Sequence, residues 1–429
     1  MIRALLGAAL LLSSSLAAAG AFARLDPSRN AASAGLMPWL SEGRYKLDTE
    51  IGLESRAFLF APVDPRQANG DVSLRVQPEF RYEWSRDTQF TLTPFARLDS
   101  ADDRRTHLDL REMYLRHRSG AIEVRAGVRK VFWGTIESLH LVDVLNQTDL
   151  IENPDTEDKL GQPMVDLSYI CDYGTFTAFY LPYFRERTFP DFDGRLRFPL
   201  AVATDAEPIF EPGVSRGTPA WAARYALSKS GLDLGVSHFS GTARAPRFAP
   251  AMPGGLVLTA NGPMLVPIYD QIDQTGLDAN YVLAGWLLKL EAIHQHSRFD
   301  DYFAFATGYE YTINGVFDSA TDLGLIGEYL WDERGDAATT PFNNDIFVGT
   351  RLAFNDEASS ELLAGVIVDA QTQTLFSNLE ASRRLGNDWK ATLEMRLFAN
   401  TDPADPTFSF REDDYISLEI IRYFGLKGP

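Results

Sequence analysis

The chain has 429 residues, 45% of them hydrophobic, and a formal net charge of −19. That acidity argues against nucleic acid as a partner, because binding its phosphates needs a basic surface. The single cysteine, Cys171, permits no internal disulfide, and beyond the N-terminus no apolar run reaches the roughly 20 residues of a membrane helix.

In chain order, the first predicted element is a secretory signal over residues 1–23. Arg3 supplies its positive charge, residues 4–12 its apolar stretch, and Ala21-Phe22-Ala23 a small-x-small cleavage site. No cysteine follows that site, which argues against a lipid anchor. Residues 24–44 then form a short exported segment, with no plug-like domain expected ahead of the first strand.

From residue 45 the pattern becomes period-two. In 47–59, Leu47, Ile51, Leu53, Ala57 and Leu59 alternate with Asp48, Glu50, Glu54 and Arg56. In 73–84, Leu74, Val76, Pro78, Phe80, Tyr82 and Trp84 alternate with Ser73, Arg75, Gln77, Glu79, Arg81 and Glu83. An alternating run of that length matches the ~9–11 residues of a strand crossing a bilayer. In 90–98, Phe90, Leu92, Pro94, Ala96 and Leu98 oppose Thr91, Thr93 and Arg97. The run 107–118 slips phase near Glu112, which predicts a bulge. In 121–132, Ile122, Val124, Ala126 and Val128 oppose Glu123, Arg125 and Arg129. Later candidates are 165–171, 175–183, 222–227, 232–239, 280–296, 302–314, 323–331, 345–354, 361–369, 375–385, 389–398 and 415–424.

These runs predict an all-β, antiparallel transmembrane barrel over 45–424, with 425–429 as a C-terminal extension. Single-chain bacterial barrels have even strand numbers, so about 16 strands are expected. Short turns alternate with longer segments at 133–164, 184–220, 240–279 and 399–414, the asymmetry of periplasmic turns and outer loops. Trp84, Trp133, Trp331, Trp389, Tyr183 and Tyr423 sit at strand ends, where interfacial girdles lie. The final run alternates Ile416, Leu418, Ile420 and Phe424 against Tyr415, Ser417, Glu419, Ile421 and Tyr423, although Arg422 falls on the apolar face.

The most distinctive stretch runs from Gly127-Val128-Arg129 through Trp133-Gly134 and Glu137 to Asp143-Val144-Leu145-Asn146 and Asp149, and continues as Glu157-Asp158-Lys159-Leu160-Gly161-Gln162-Pro163-Met164. It resembles largely uncharacterised porin-like outer-membrane families, in which a strand ending in Gly-x-Arg leads to Trp-Gly and then to a segment with aspartate and asparagine. The resemblance covers about 50 residues and implies a class of protein, not a substrate. Gly134 allows a sharp turn after the strand, and one or two helical turns are expected over 140–146. Arg129, Glu137, Asp143, Asn146 and Asp149 would then lie near the pore mouth. They could polarise a constriction or lock the loop to the wall; the lock is preferred, because inserted backbone must be satisfied.

Wet faces carry both signs. Asp48, Glu50, Glu54, Glu79 and Glu83 stand against Arg56, Arg75, Arg81, Arg97, Arg125 and Arg129. Such a mixture either sets a transverse field or neutralises itself, and predicts no ion preference. Asp149, Glu152, Asp155, Glu157 and Asp158 lack the spacing of a calcium loop and read as a solvated acidic loop. His294 and His296 share a strand face as a metal pair would, but no third ligand is evident, so no metal and no cofactor is expected.

These features point to a porin-like channel passing small solutes passively through the outer membrane. Its expected partners are membrane lipid and lipopolysaccharide, the barrel assembly machinery and the solute, with a homo-oligomer left open. An enzyme is not expected: there is no Gly-x-Ser-x-Gly elbow, and none of the six histidines lies in a recognisable catalytic setting. The alternatives are a transporter for hydrophobic compounds and an exported, soluble, glycan-binding β-sandwich.

Overall fold

A computed structural model of the chain describes residues 44–427 apart from 339, 341 and 404. The expected signal and nearly all of the segment that follows it lie outside the described residues.

Eighteen strands form one sheet. The first seven are β1 (Arg44–Phe58), β2 (Gly70–Glu83), β3 (Thr88–Asp99), β4 (His107–Ser119), β5 (Ile122–Arg129), β6 (Gln162–Cys171) and β7 (Gly174–Leu181). Next come β8 (Ala220–Lys229), β9 (Leu232–Thr242), β10 (Gln271–Leu283), β11 (Trp286–Ser297), β12 (Asp301–Ile313) and β13 (Asp322–Asp332). The last are β14 (Asn344–Ala353), β15 (Glu361–Asp369), β16 (Leu375–Leu385), β17 (Trp389–Ala399) and β18 (Tyr415–Lys427). Each strand pairs antiparallel with its neighbour in sequence, and β18 pairs antiparallel with β1 from Lys46↔Lys427 to Phe58↔Tyr415, which closes the barrel. Closure leaves no edge with unpaired backbone groups, as a membrane-spanning sheet requires. The last strand continues three residues past Phe424, and Gly425, Leu426 and Lys427 pair with β1 rather than trailing free.

Alternation decides which side each residue faces. On β6, Met164, Asp166 and Ser168 are buried while Val165, Leu167 and Tyr169 are exposed. Leu74, Leu98, Leu108 and Leu418 are exposed on the outside, Leu108 at 83%. Leucines left so open need a lipid solvent, because a water-soluble sandwich would enclose them. Arg422 does face outward with them. Its guanidinium lies 5.1 Å from the Trp389 ring centroid and 4.6 Å from that of Phe424, a position at the interface that keeps the charge off the bilayer centre.

The two strands beyond the expected 16 change little in the architecture. The run 280–296, expected as one strand, is a hairpin of β10 and β11. Its turn is Ala284-Gly285, with φ of 47° and 90°. Two positive φ values match the twist of flanking strands, but alanine gives no turn signal inside so apolar a run. The predicted slip in β4 is a bulge: Thr93 pairs with Glu112 and Pro94 with Leu110, leaving Arg111 as the extra residue.

Connections 59–69, 130–161, 182–219, 243–270 and 400–414 share one rim, while turns such as 120–121, 172–173, 230–231 and 386–388 share the other. At the short-turn rim Trp286 packs on Tyr309 and Tyr311, with ring centroids 5.3 and 4.5 Å apart, as part of a girdle. Trp84 and Trp389 are exposed as that girdle requires, but Trp133 is 5% exposed and packs inside the lumen. Tyr423 shares the inward face of β18.

Leu167 lies mid-strand on the lipid side. Leu167→Arg should cost about 2–4 kcal/mol, read as a lower urea midpoint for heat-modifiable migration of protein folded into vesicles; Leu167→Ala should shift that midpoint far less.

Candidate functional site: the loop-filled lumen

Residues 130–161 fold into the barrel rather than over it. No helical turn forms at 140–146; the segment is turns and bends. Its compactness comes from apolar contact instead. Trp133, Val142, Val144 and Leu145 pack against inward-facing Met164, Phe179, Phe239, Ile272 and Ile293 of the wall. Trp133 meets Phe179 edge-on at 5.7 Å. Burying these side chains against the wall supplies the main drive for insertion.

Insertion removes the loop amides from bulk water, and each then needs an acceptor. Two wall glutamates provide several. Glu291 on β11 accepts from the backbone N–H of Thr135 (2.6 Å), Ile136 (3.0 Å) and Val142 (3.2 Å). Glu328 on β13 accepts from the N–H of Glu137 (2.8 Å) and Ser138 (3.0 Å), and from the Ser138 hydroxyl (2.6 Å). At the stem, Asn146 Nδ2 donates to the carbonyls of Arg129 and Leu160, both at 2.8 Å, while its Oδ1 accepts from Val131 N–H at 2.9 Å. Asp143 pairs with Lys159 at 3.0 Å and accepts from Trp133 N–H at 3.4 Å. Gly134, at φ 149°, is required: a Cβ there would lie 2.9 Å from the His140 ring and 3.1 Å from the Glu291 carboxylate.

The acidic stretch 149–158 is solvated only at its end: Glu157 and Asp158 are exposed, whereas Asp149 and Glu152 are buried. Asp149 pairs with the bulge residue Arg111 at 2.7 Å. Glu152 pairs with Arg97 at 2.6 Å, and Arg97 also holds Glu54 at 2.9 Å and the Ser73 hydroxyl at 2.6 Å. Arg105 binds Glu54 (3.0 Å) and Asp99 (2.8 Å). Farther along, Asp155 reaches Arg396 on β17 at 2.9 Å, and Asn153 reaches Glu394 at 3.2 Å. The loop therefore crosses the lumen and is tied to β3, β4, β11, β13 and β17. His107, Asp149 and Glu152 bring ligand atoms close enough for a cation, but both carboxylates already hold arginines, so the cluster belongs to the ion-pair network.

The other candidate residues divide by position. Glu137 meets Arg351 at 2.7 Å and Lys289 at 3.7 Å, inside the network. Arg125 and Arg129 both meet Asp166 on β6, and Arg125 also meets Glu123. Arg75 bridges Glu50 at 3.1 Å and Glu419 on the wall. Arg81 with Glu79 and Glu83 with Arg44 form more exposed pairs near the short-turn rim, away from the loop. Sequence reading missed Glu291, Glu328, Arg105, Arg111 and Arg396. Inward phase was the available signal for Glu291, Glu328 and Arg396 but not for Arg105, in a turn, or Arg111, at the bulge, and which wall residue meets the loop depends on closure.

Between the inserted loops lies a cavity of about 970 Å³. Its carboxylates, including Glu137, Asp143, Asp155, Glu157, Asp270 and Asp332, each have a cationic partner within 4 Å. Arg187 and Arg244 also line it, and among the described residues neither has a carboxylate at ion-pair distance. The Arg244 side chain donates only to the carbonyls of Leu145 (3.0 Å) and Thr242 (3.1 Å). Burial pulls its pKa down to about 9, and that of Arg187 down to about 10. Both remain charged at neutral pH. The Tyr269 hydroxyl, which accepts from Arg187 N–H at 3.1 Å, is pushed up to about 12 by burial.

In overall fold the chain is similar to solved outer-membrane proteins. OccD3 (OpdP) of Pseudomonas aeruginosa matches at 10% identity over 90% of this chain and 92% of that one, with a TM-score of 0.51. A BenF-like porin from Pseudomonas fluorescens Pf-5 matches at 9% identity over 91% and 100%, TM-score 0.51. OccK10 (OpdN) of Pseudomonas aeruginosa matches at 10% identity over 90% and 99%, TM-score 0.51. At such identities the likeness is one of fold. No protein-family model matches the chain, and no curated protein matches it by sequence.

Asn146→Ala should strand Val131 N–H and two carbonyls, at about 1–3 kcal/mol for each group left unsatisfied. Limited proteolysis should then cut within 130–161 while the barrel itself stays heat-modifiable. A pH effect follows from His140, which is 2.6 Å from Glu157. Burial alone would lower its pKa, but Glu157 and Glu291 outweigh this and raise it from 6.5 to about 10. The pairing is therefore fully present below pH 6.5 and lost as pH rises through about 10. Protease protection of the loop should weaken over that window, and His140→Gln should flatten the dependence.

Proposed function

We propose that this chain is a porin-like outer-membrane channel, through which small solutes move passively down their gradient, with a preference for anions. The barrel, its apolar exterior and the porin-like fold support passage across a membrane. The observation that carries the preference is the pair Arg187, half-buried, and Arg244, buried, at the cavity without carboxylates while the cavity's own carboxylates are paired. A guanidinium presents its donors in a planar fork suited to carboxylate, so small organic acids are the solutes that fit best. Phe189, Phe198 and Phe376, which also line the cavity, favour acids with an apolar body over purely hydrophilic ones.

Reversal potentials in planar bilayers under a tenfold KCl gradient test this. The protein should favour chloride over potassium, and Arg187→Ala with Arg244→Ala should reduce the permeability ratio several-fold. A cation preference in the unaltered protein, or no ion current at all, would contradict the reading.

A further inference from the structure

The lipid-facing wall is apolar along most of its height, but at the long-loop rim of β10–β12 it turns polar. His294 and His296 lie on the outward face of β11, in phase with exposed Leu288. The sheet register sets Asp301 of β12 directly beside His296 on one side and Asp273 of β10 beside it on the other. Asp301 spans both imidazoles: one carboxylate oxygen is 2.9 Å from His294 Nε2, and the other is 3.3 Å from His296 Nδ1. Asp301 thus brings a third donor across the ladder, one oxygen to each imidazole, and a shared ion requires the two rings to turn toward one another. All three side chains are about 60% exposed, so they are open to an incoming ion, and exposed pairing of this kind adds little stability.

We propose that His294, His296 and Asp301 form a divalent transition-metal site of the Zn²⁺ type on the outside of the barrel, apart from the channel. Two imidazoles two residues apart on a strand face the same way, and a carboxylate from the adjacent strand completes a set of two nitrogens and one oxygen. That donor set suits Zn²⁺ and its neighbours, whereas Ca²⁺ and Mg²⁺ take oxygen ligands. Three protein ligands leave one tetrahedral position open. The connection above the site is only residues 298–300, so no long loop of β11 and β12 covers it. A metal takes imidazole only in its neutral form, so binding must weaken in acid.

The test is Zn²⁺ calorimetry and Co²⁺ absorption on the refolded protein in detergent at pH 7.5. One ion per chain is expected, with visible Co²⁺ bands of a tetrahedral site, and both signals should disappear near pH 5.5. His294→Ala, His296→Ala and Asp301→Asn should each weaken binding at least about tenfold. His117→Ala, on the outward face at the opposite rim, should leave it unchanged. Because these side chains are exposed, the variants should keep heat-modifiable migration, which separates a lost site from a lost fold. Folded protein that binds no ion, or a His294→Ala/His296→Ala double variant that binds as the parent does, would overturn the proposal.

Discussion

A backbone amide taken out of water must find an acceptor, and in this molecule the inserted loop finds them on the wall. Two glutamates on β11 and β13 receive the N–H groups of Thr135, Ile136, Glu137, Ser138 and Val142. Apolar packing around Trp133 draws the loop in, but packing is non-directional and would accept many arrangements. The amide–carboxylate bonds select one. Each is charge-assisted, and loss of a wall carboxylate would leave several buried donors unsatisfied at once. The shape of the lumen thus depends on a few directional contacts between distant parts of the chain.

The ion pairs serve the same end at a different point. Arg97, Arg105 and Arg111 are nearly fully buried, and each holds carboxylates from the wall, while Arg97 and Arg111 also hold Glu152 and Asp149 of the loop. Such pairs contribute little net stability compared with apolar packing, but removing one partner is expensive, about 3–5 kcal/mol, because a buried charge is left behind. That asymmetry fixes position more than it adds strength. Pairing also engages the carboxylates facing the cavity, which leaves two arginines outside it, Arg187 and Arg244. Their two loops, 182–219 and 243–270, are separate in sequence and pair with each other, as at Ile209↔Ile268.

Much of the barrel is legible from local pattern. Alternation in 73–84 and 415–424 identifies the lipid side, and the phase slip near Glu112 locates the bulge at Arg111, because both depend on residues adjacent in sequence. The hairpin at Ala284-Gly285 is hidden, since its turn is flanked by Tyr281, Val282, Leu283 and Trp286 and carries no polar residue. The expected helical turns at 140–146 are overridden by tertiary contact: wall carboxylates satisfy amides that a helix would have satisfied internally. Asp143 and Asn146 bind within the stem of the loop, and Trp133 is a core residue and not a girdle residue. Acidity at 149–158 suggests solvent until the arginines of β3, β4 and β17 are brought beside it, which no local pattern can do.

Wall carboxylates hold the loop inside the lumen. Hydrogen exchange of the Thr135, Ile136, Glu137, Ser138 and Val142 amides in the folded barrel measures it most directly. Protection comparable to that of the flanking strands β5 and β6 is the result this account predicts. Exchange as fast as at the exposed turn 386–388 would show a loop that is not held, and would contradict it.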